Sequence, residues 1–403
     1  MAKDKNKISK FLDLKNIDKA TEAAVYYGFM PIATPKIEKI DKDKAKTLKD
    51  GEPIEQIGSN ENLIHTVEEK SALLRHYFDS NLAIMPQPVL ITYNGFINEK
   101  KERQTGKQRK IGLEIIGSEK SIAEAILIKT ALAILEDNGL KDLYVEINSL
   151  GDKESYNKFT RELIAYFRKN INSMQSHCRQ LFKKDPFFVL GCRNEKCLLL
   201  NEDAPKAISC LSDESRIHFR STLEYLEGLE INYKINDYLV SDRRYANGTV
   251  FEIKQKSDNP KKPDESLAVG FRTDGLGKKL DFKKDIPMVG VKICFKSDFE
   301  KRQMPKIKRA SVFFIQLGDE AKHKSLKVID ILRQENIYIH HSLGRDKMSG
   351  QLAMADRSKT PYILIMGKKE AMENTVMIRD VATRSQETVP IKDLAEYLKK
   401  LFK

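Results

Sequence analysis

Residues 153 to 230 run at helical spacing almost without interruption, between strand patterns at 143–147 and 249–253. A sheet that pauses for so long a helical stretch carries a helical insertion, predicted over about 153–235. The clearest helix precedes it, from Ser118 to Asn138. Ile122, Ala125, Ile126, Lys129, Ala133 and Ile134 mark one mostly apolar face, Ser118 is the candidate N-cap and Gly139 the stop. Strand patterns at 88–93 and 113–116 flank a charged stretch that suits a hairpin loop, and two more lie at 267–271 and 288–295. Residues 17–27 read as a helix ended by Gly28, 71–78 as another, and the polar, lysine-rich 36–60 as loop.

From Ser311 the pattern changes. Strands at 311–317, 338–342 and 362–366 alternate with helices at 319–335, 347–357 and 391–402, which is the arrangement of a small mixed α/β domain. The boundary is expected near Pro305, giving a core over 1–304 and a second domain over 308–403.

At 403 residues, 40% hydrophobic and 32% charged, the chain is long enough for two or three domains with a sizeable core. No apolar run reaches the roughly 18 residues of a membrane span. The lysine-rich start, Met1 to Lys10, has no apolar signal region, so the cytoplasm is the expected compartment. The net charge of +13 favours polyanionic partners. Five cysteines, an odd number, do not read as a disulfide framework. Cys178, Cys192, Cys197 and Cys210 lack the tight Cys-x2-Cys pair usual in structural zinc sites, so free buried thiols and no metal are expected.

Several strings resemble the histidyl-tRNA synthetase family. Glu114-Ile-Ile-Gly-Ser-Glu119, the long helix after it and Tyr144-Val-Glu-Ile-Asn-Ser-Leu-Gly151 are similar to the family's close of motif 2, its next helix and the sheet strand to which that helix returns. Tyr27-Gly-Phe-Met-Pro-Ile-Ala-Thr-Pro35 resembles motif 1, which builds the dimer interface of class II synthetases. Gly270-Phe-Arg-Thr-Asp-Gly-Leu276 and Ile286-Pro-Met-Val-Gly290 resemble the approach to motif 3. Gln351-Leu-Ala-Met-Ala-Asp356, Ile363-Leu-Ile-Met-Gly367 and Thr375-Val-Met-Ile-Arg-Asp380 resemble the anticodon-binding domain. The resemblance runs from about residue 17 to the end. It implies an α+β class: a class II aminoacyl-tRNA synthetase core with a largely antiparallel sheet and a helical insertion, then an anticodon-binding-type α/β domain. It also implies a homodimer.

The same resemblance exposes what is missing. Adenylation needs cations preorganised where phosphate charge develops. The motif 2 arginine falls at Phe96 or Ile97, and the motif 3 arginine at Ser297. The Arg-Gly-Leu-Asp-Tyr-Tyr signature reads Ser241-Asp-Arg-Arg-Tyr-Ala246, and the Glu-Gly-Thr element that receives the amino group reads Glu68-Glu-Lys70, two long charged side chains crowding a close turn. Glu68, Glu114, Tyr245 and Arg272 remain as family-carried substrate positions, with Arg243 and Arg244 as candidate stand-ins for the lost arginine. No catalytic residue is assigned. No resident cofactor is expected, and ATP with magnesium enters only if histidine is still activated.

For RNA the candidates are two basic groups. Lys100, Lys101, Arg103, Lys107, Arg109 and Lys110 fill the motif 2 loop against one acid, Glu102. Residues 308–403 hold 18 lysines and arginines against 12 acids, with Arg345, Lys347, Arg357, Lys368, Lys369 and Arg379 at or near loops, and Tyr338, Tyr362, His340 and His341 close by for base stacking. The expected function is an inactive synthetase-like protein that binds tRNA or another structured RNA, or serves a protein partner in a heteromeric assembly. The alternatives are a divergent but active histidine–tRNA ligase, and a regulatory subunit like that of ATP phosphoribosyltransferase, which usually lacks the C-terminal domain.

Overall fold

A computed structural model describes residues 18–48, 63, 65–95, 108–192, 194–242, 244–296 and 310–402. The boundary expected at Pro305 lies outside them. Two sheets organise the chain. The first has eight strands: β1 (Met30–Pro31), β2 (Val89–Asn94), β3 (Gln108–Ile116), β4 (Leu143–Ser149), β5 (Tyr233–Ile235), β6 (Asn247–Gln255), β7 (Glu265–Arg272) and β8 (Met288–Lys296). Their order is β1-β2-β3-β8-β7-β6-β4-β5, antiparallel throughout the middle and parallel only at the outer pairs β1–β2 and β4–β5.

The period-two alternation of strands sorts side chains between two faces. Leu113, Ile115, Val289, Val291 and Ile293 pack in one cluster with α4 (Ile122–Asp137), whereas Tyr93, Val269 and Phe271 belong to another. Helix α4 is buried on nearly every side rather than on the one face its spacing predicts. It is covered by the sheet, by α1 (Lys19–Tyr26) and by α9 (Asp213–Gly228), and helices apolar all round are buried in this way. Its N-cap is Ser121, not Ser118; the Ser118 hydroxyl accepts from the Lys120 amide at 3.3 Å one turn earlier.

Residues 36–60 are not all loop. Helix α2 (Lys39–Lys46) forms because Glu38 and Asp41 cap it reciprocally and because Asp41, fully buried, is held by Ser71 Oγ at 3.0 Å and Arg75 Nη2 at 2.9 Å from α3 (Val67–Asp79). That tertiary anchor is invisible to local periodicity. Between β4 and β5 the chain forms α5 (Lys153–Lys169), α6 (Ser176–Lys184), α7 (Phe187–Leu190), α8 (Glu195–Glu202) and α9, and a short α10 (Leu276–Lys279) precedes β8.

The second sheet has five strands in the order β10-β9-β11-β12-β13: β9 (Val312–Gln316), β10 (His340–His341), β11 (Tyr362–Met366), β12 (Thr375–Asp380) and β13 (Gln386–Pro390). Helices α11 (Asp319–Gln334), α12 (Met348–Ser358), α13 (Lys368–Glu373) and α14 (Ile391–Leu401) accompany it. The periodicity of the sequence does not pick out β12, β13 or α13, which are short and charged. Helix α11 docks on the first unit: Asp330 takes the Tyr27 hydroxyl at 2.6 Å and the Lys129 ammonium at 2.9 Å, Arg333 reaches Asp137 at 2.7 Å, and His323 stacks on Tyr225. No described helix is long and apolar enough to cross a membrane.

One buried ion network ties α4 to the sheet. Arg272 on β7, 2% exposed, donates to Glu124 at 2.6 and 3.2 Å, to Asp274 and to the carbonyls of Ser118 and Lys120. His218 of α9 bonds the same Glu124 at 2.7 Å. Burial raises the Glu124 carboxyl, but Arg272 and His218 outweigh it and hold it at about 2, against an ordinary 4.5. A depressed carboxyl stabilises the fold above its unfolded value, and that contribution, about 3 kcal/mol, drains as pH falls from about 4.5 towards 2. Arg272→Met is expected to cost about 3–5 kcal/mol in denaturant unfolding, because it leaves Glu124 buried without its main partner; a cost below about 1 kcal/mol would contradict this reading.

Candidate functional site

On the face of the first sheet away from α4, the register aligns Ile91, Glu114, Gly290 and Phe271 across four adjacent strands. Glu114, fully buried, lies over Gly290; a Cβ there would come within 2.1 Å of its Oε2, so only glycine fits. The Lys70 ammonium of α3, also fully buried, donates to Glu114 Oε1 at 2.5 Å and lies 5.5 Å from the centre of the Phe271 ring. The Tyr93 hydroxyl donates to the same oxygen at 3.5 Å. Beside this pair, Lys292 of β8 donates to Glu69 at 2.7 Å, with both largely buried. Two ammoniums thus face two carboxylates, and the set is neutral as a whole.

The surroundings are equally closed. His65 holds the Val269 carbonyl at 3.1 Å and packs edge-on against Phe271; Tyr245 donates to the His65 carbonyl at 2.5 Å. Burial, then the charges of Lys70 and Lys292, push the His65 imidazole far below its usual range, so it stays neutral. Burial raises Glu114 while Lys70 opposes it, and burial lowers Lys292 while Glu69 opposes it.

Of the four family-carried residues, Glu114 and Tyr245 meet here. Glu68 is half-buried in the first turn of α3. Arg272 does not join them, because it sits one residue past Phe271 and points to the α4 face. Glu68-Glu-Lys70 is not a crowded turn either. Thr66 caps α3, its hydroxyl accepting from the Glu69 amide at 3.2 Å while Glu69 accepts from the Thr66 amide at 3.0 Å, and Lys70 turns inward. Arg244 is clamped by Asp242 at 2.5–3.0 Å, and Arg243 lies outside the described residues, as do Phe96, Ile97 and Ser297. Sequence reasoning misses Lys292, His65 and Tyr93. A lysine inside the apolar strand 288–295 is the signal that could have found the first.

Among the RNA candidates, Lys100, Lys101, Arg103 and Lys107 fall outside the described residues. Arg109 is committed to Asp18 and to Asn94, and Lys110 is half-buried on β3. Lys347 and Arg357 are exposed, and Arg345 is half-buried close enough to Arg357 for the like charge, after burial, to lower its pKa. None of the three pairs with a carboxylate among the described residues. Lys368 pairs with Glu320 at 2.9 Å, Lys369 is exposed, and Arg379 is half-buried on β12. The stacking groups are mostly spent on packing: Tyr338 sits edge-on against Tyr26, Tyr362 is tilted against Phe402, and His341 is half-buried beneath Gly28.

The four-cysteine set divides. The sulfurs of Cys178, Cys192 and Cys197 lie within 4.8 Å of one another, whereas Cys210 donates to Glu162 at 3.3 Å.

An antiparallel-rich sheet of this order, interrupted by helices and succeeded by a five-stranded mixed sheet, defines the class II aminoacyl-tRNA synthetase fold. The anticodon binding domain family matches residues 311–401. The histidine–tRNA ligase of Bacillus subtilis is 30% identical over 341 residues, covering 82% of this chain and 80% of that protein. That of Vesicomyosocius okutanii is 28% identical over 393 residues, covering 93% and 92%. The crystal structure of apo Staphylococcus aureus histidyl-tRNA synthetase matches the fold with a TM-score of 0.50 at 23% identity, covering 94% of this chain and 93% of that one. The chain belongs to the histidyl-tRNA synthetase family.

A buried ion pair is far costlier to break than to replace outright. Lys70→Met and Glu114→Leu are each expected to destabilise by about 3–5 kcal/mol. The double variant should lose much less than the two together. Additive losses in a double-mutant cycle would show that the two groups are not coupled.

Proposed function

We propose that this chain no longer activates histidine and acts as an RNA-binding member of its family. The observation that carries the reading is the Lys70–Glu114 pair. Glu114 stands where the family's substrate-binding glutamate is expected, and Lys70 where the threonine of the amino-group element is. The carboxylate that would hold the substrate is held instead by an ammonium of the protein. Glu69, at the glycine of the same element, is taken by Lys292. Among the described residues of this face, no arginine stands free to meet a phosphate, which supports the loss of adenylation with ATP and magnesium.

The competing reading is a divergent, active histidine–tRNA ligase, which the names of the relatives favour. Pyrophosphate exchange separates the two. With protein freed of host synthetase, histidine-dependent exchange is expected at background. Exchange that vanishes in Arg243→Ala/Arg244→Ala would overturn the proposal and assign the lost role to those arginines.

RNA binding rests on Arg345, Lys347 and Arg357, cations with no carboxylate partner among the described residues, within a domain matched to the anticodon binding family. Unneutralised cations of this kind suit phosphate contacts. A cytoplasmic homodimer is part of the proposal, on the resemblance of Tyr27–Pro35 to the motif 1 unit that builds class II dimers. Full-length protein is expected to bind tRNA with strong salt dependence, and Lys347→Ala/Arg357→Ala to flatten the log–log slope by about two units, roughly one per contact. Salt-insensitive binding, or none at low salt, would shift the reading to a protein partner.

A further inference from the structure

The inserted helices α6 and α8 have nine and eight residues, and α7 between them has four. Helices this short are marginal alone and rely on whatever joins them. Three cysteines meet at their junction. Cys178 comes from α6, Cys192 from the turn after α7, and Cys197 from the first turns of α8. Cys178 is 2% exposed and Cys197 fully buried, while Cys192 is half-buried and opens the cluster towards solvent.

We propose that Cys178, Cys192 and Cys197 form a three-thiolate site for a thiophilic divalent cation, Zn2+, whose fourth position is taken by solvent on the Cys192 side.

The geometry favours a metal over the alternatives. Zinc–sulfur bonds of about 2.3 Å in a tetrahedral arrangement place sulfurs roughly 3.8 Å apart. Here Cys178 and Cys192 stand 3.1 Å apart and all three sulfurs lie within 4.8 Å of one another, close enough for small side-chain rotations to bring them to that spacing. A disulfide would use two sulfurs and leave the third aimed at the bridge. An all-sulfur donor set selects soft ions over Mg2+ or Ca2+. The backbone amide of Asn194, the N-cap of α8, donates to the Cys192 sulfur, the kind of outer contact that orients a ligand. On binding, the coordinating thiols give up their protons to solvent and each sulfur donates a lone pair to the ion. Bound there, the ion would staple α6, α7 and α8 together.

The test uses the full chain, stripped by chelator under reductant and titrated with Zn2+ alone against a chromogenic competitor. One tightly bound ion per chain is expected. Zinc should shield Cys178, Cys192 and Cys197 of the unmodified protein from alkylation, read peptide by peptide, while Cys210 and Cys294 keep their rates. Cys197→Ser should lower affinity by more than the 10–100-fold typical of outer-contact changes, and Cys210→Ser should leave it unchanged. The shielding pattern needs no variant, so misfolding of Cys197→Ser does not blunt the test. No saturable ion, no shielding of Cys192, or equal loss in Cys210→Ser would overturn the proposal.

Discussion

The Lys70–Glu114 contact organises the site on the face of the first sheet away from α4. Two opposite charges removed from water hold a stable position only when each finds the other at close range and the remaining donors and acceptors are arranged around them. Lys70 is long enough to reach from the first turns of α3 to the centre of the sheet, and Gly290 leaves the room beneath Glu114. Lys292 and Glu69 repeat the arrangement one strand over, so no net charge is left behind. The result is a packed, neutral interior in the place where the family resemblance sets a ligand site, with Glu114 Oε2 left without a hydrogen-bond partner among the described residues.

A different network serves the other face. Arg272, Glu124 and His218 lock the central helix against the sheet, and Asp330 and Arg333 carry that framework on to the second sheet. The two networks use similar residues to different ends. Arg272 joins secondary-structure elements, whereas Lys70 neutralises a carboxylate that the family resemblance places in contact with substrate. The alternation of β7, which turns Phe271 and Arg272 to opposite faces, decides which residue does which.

Much of this is legible in the chain. The central strands, helix α4, the helical insertion and the alternation of the last ninety residues follow from apolar spacing, which survives because each face must meet a core. The features that escape depend on partners distant in sequence. Helix α2 is anchored by Asp41 to Ser71 and Arg75; Glu68-Glu-Lys70 is the exception, because the cap that makes it a helix start, Thr66 with Glu69, is local. Tyr338 and His341 look like stacking groups until α1 and its Gly28 turn pack against them. The cysteines show the same limit: their spacing lacks a tight pair, yet the fold of three short helices brings three of the four together.

Calorimetric titration of the full chain with histidine tests the central claim most directly, because it asks only whether the site is open. With Lys70 occupying Glu114, no heat of binding is expected at millimolar histidine, and none in the presence of ATP and magnesium. Saturable binding of one histidine per chain, lost in Glu114→Gln, would show that the ion pair yields to substrate and would contradict the account.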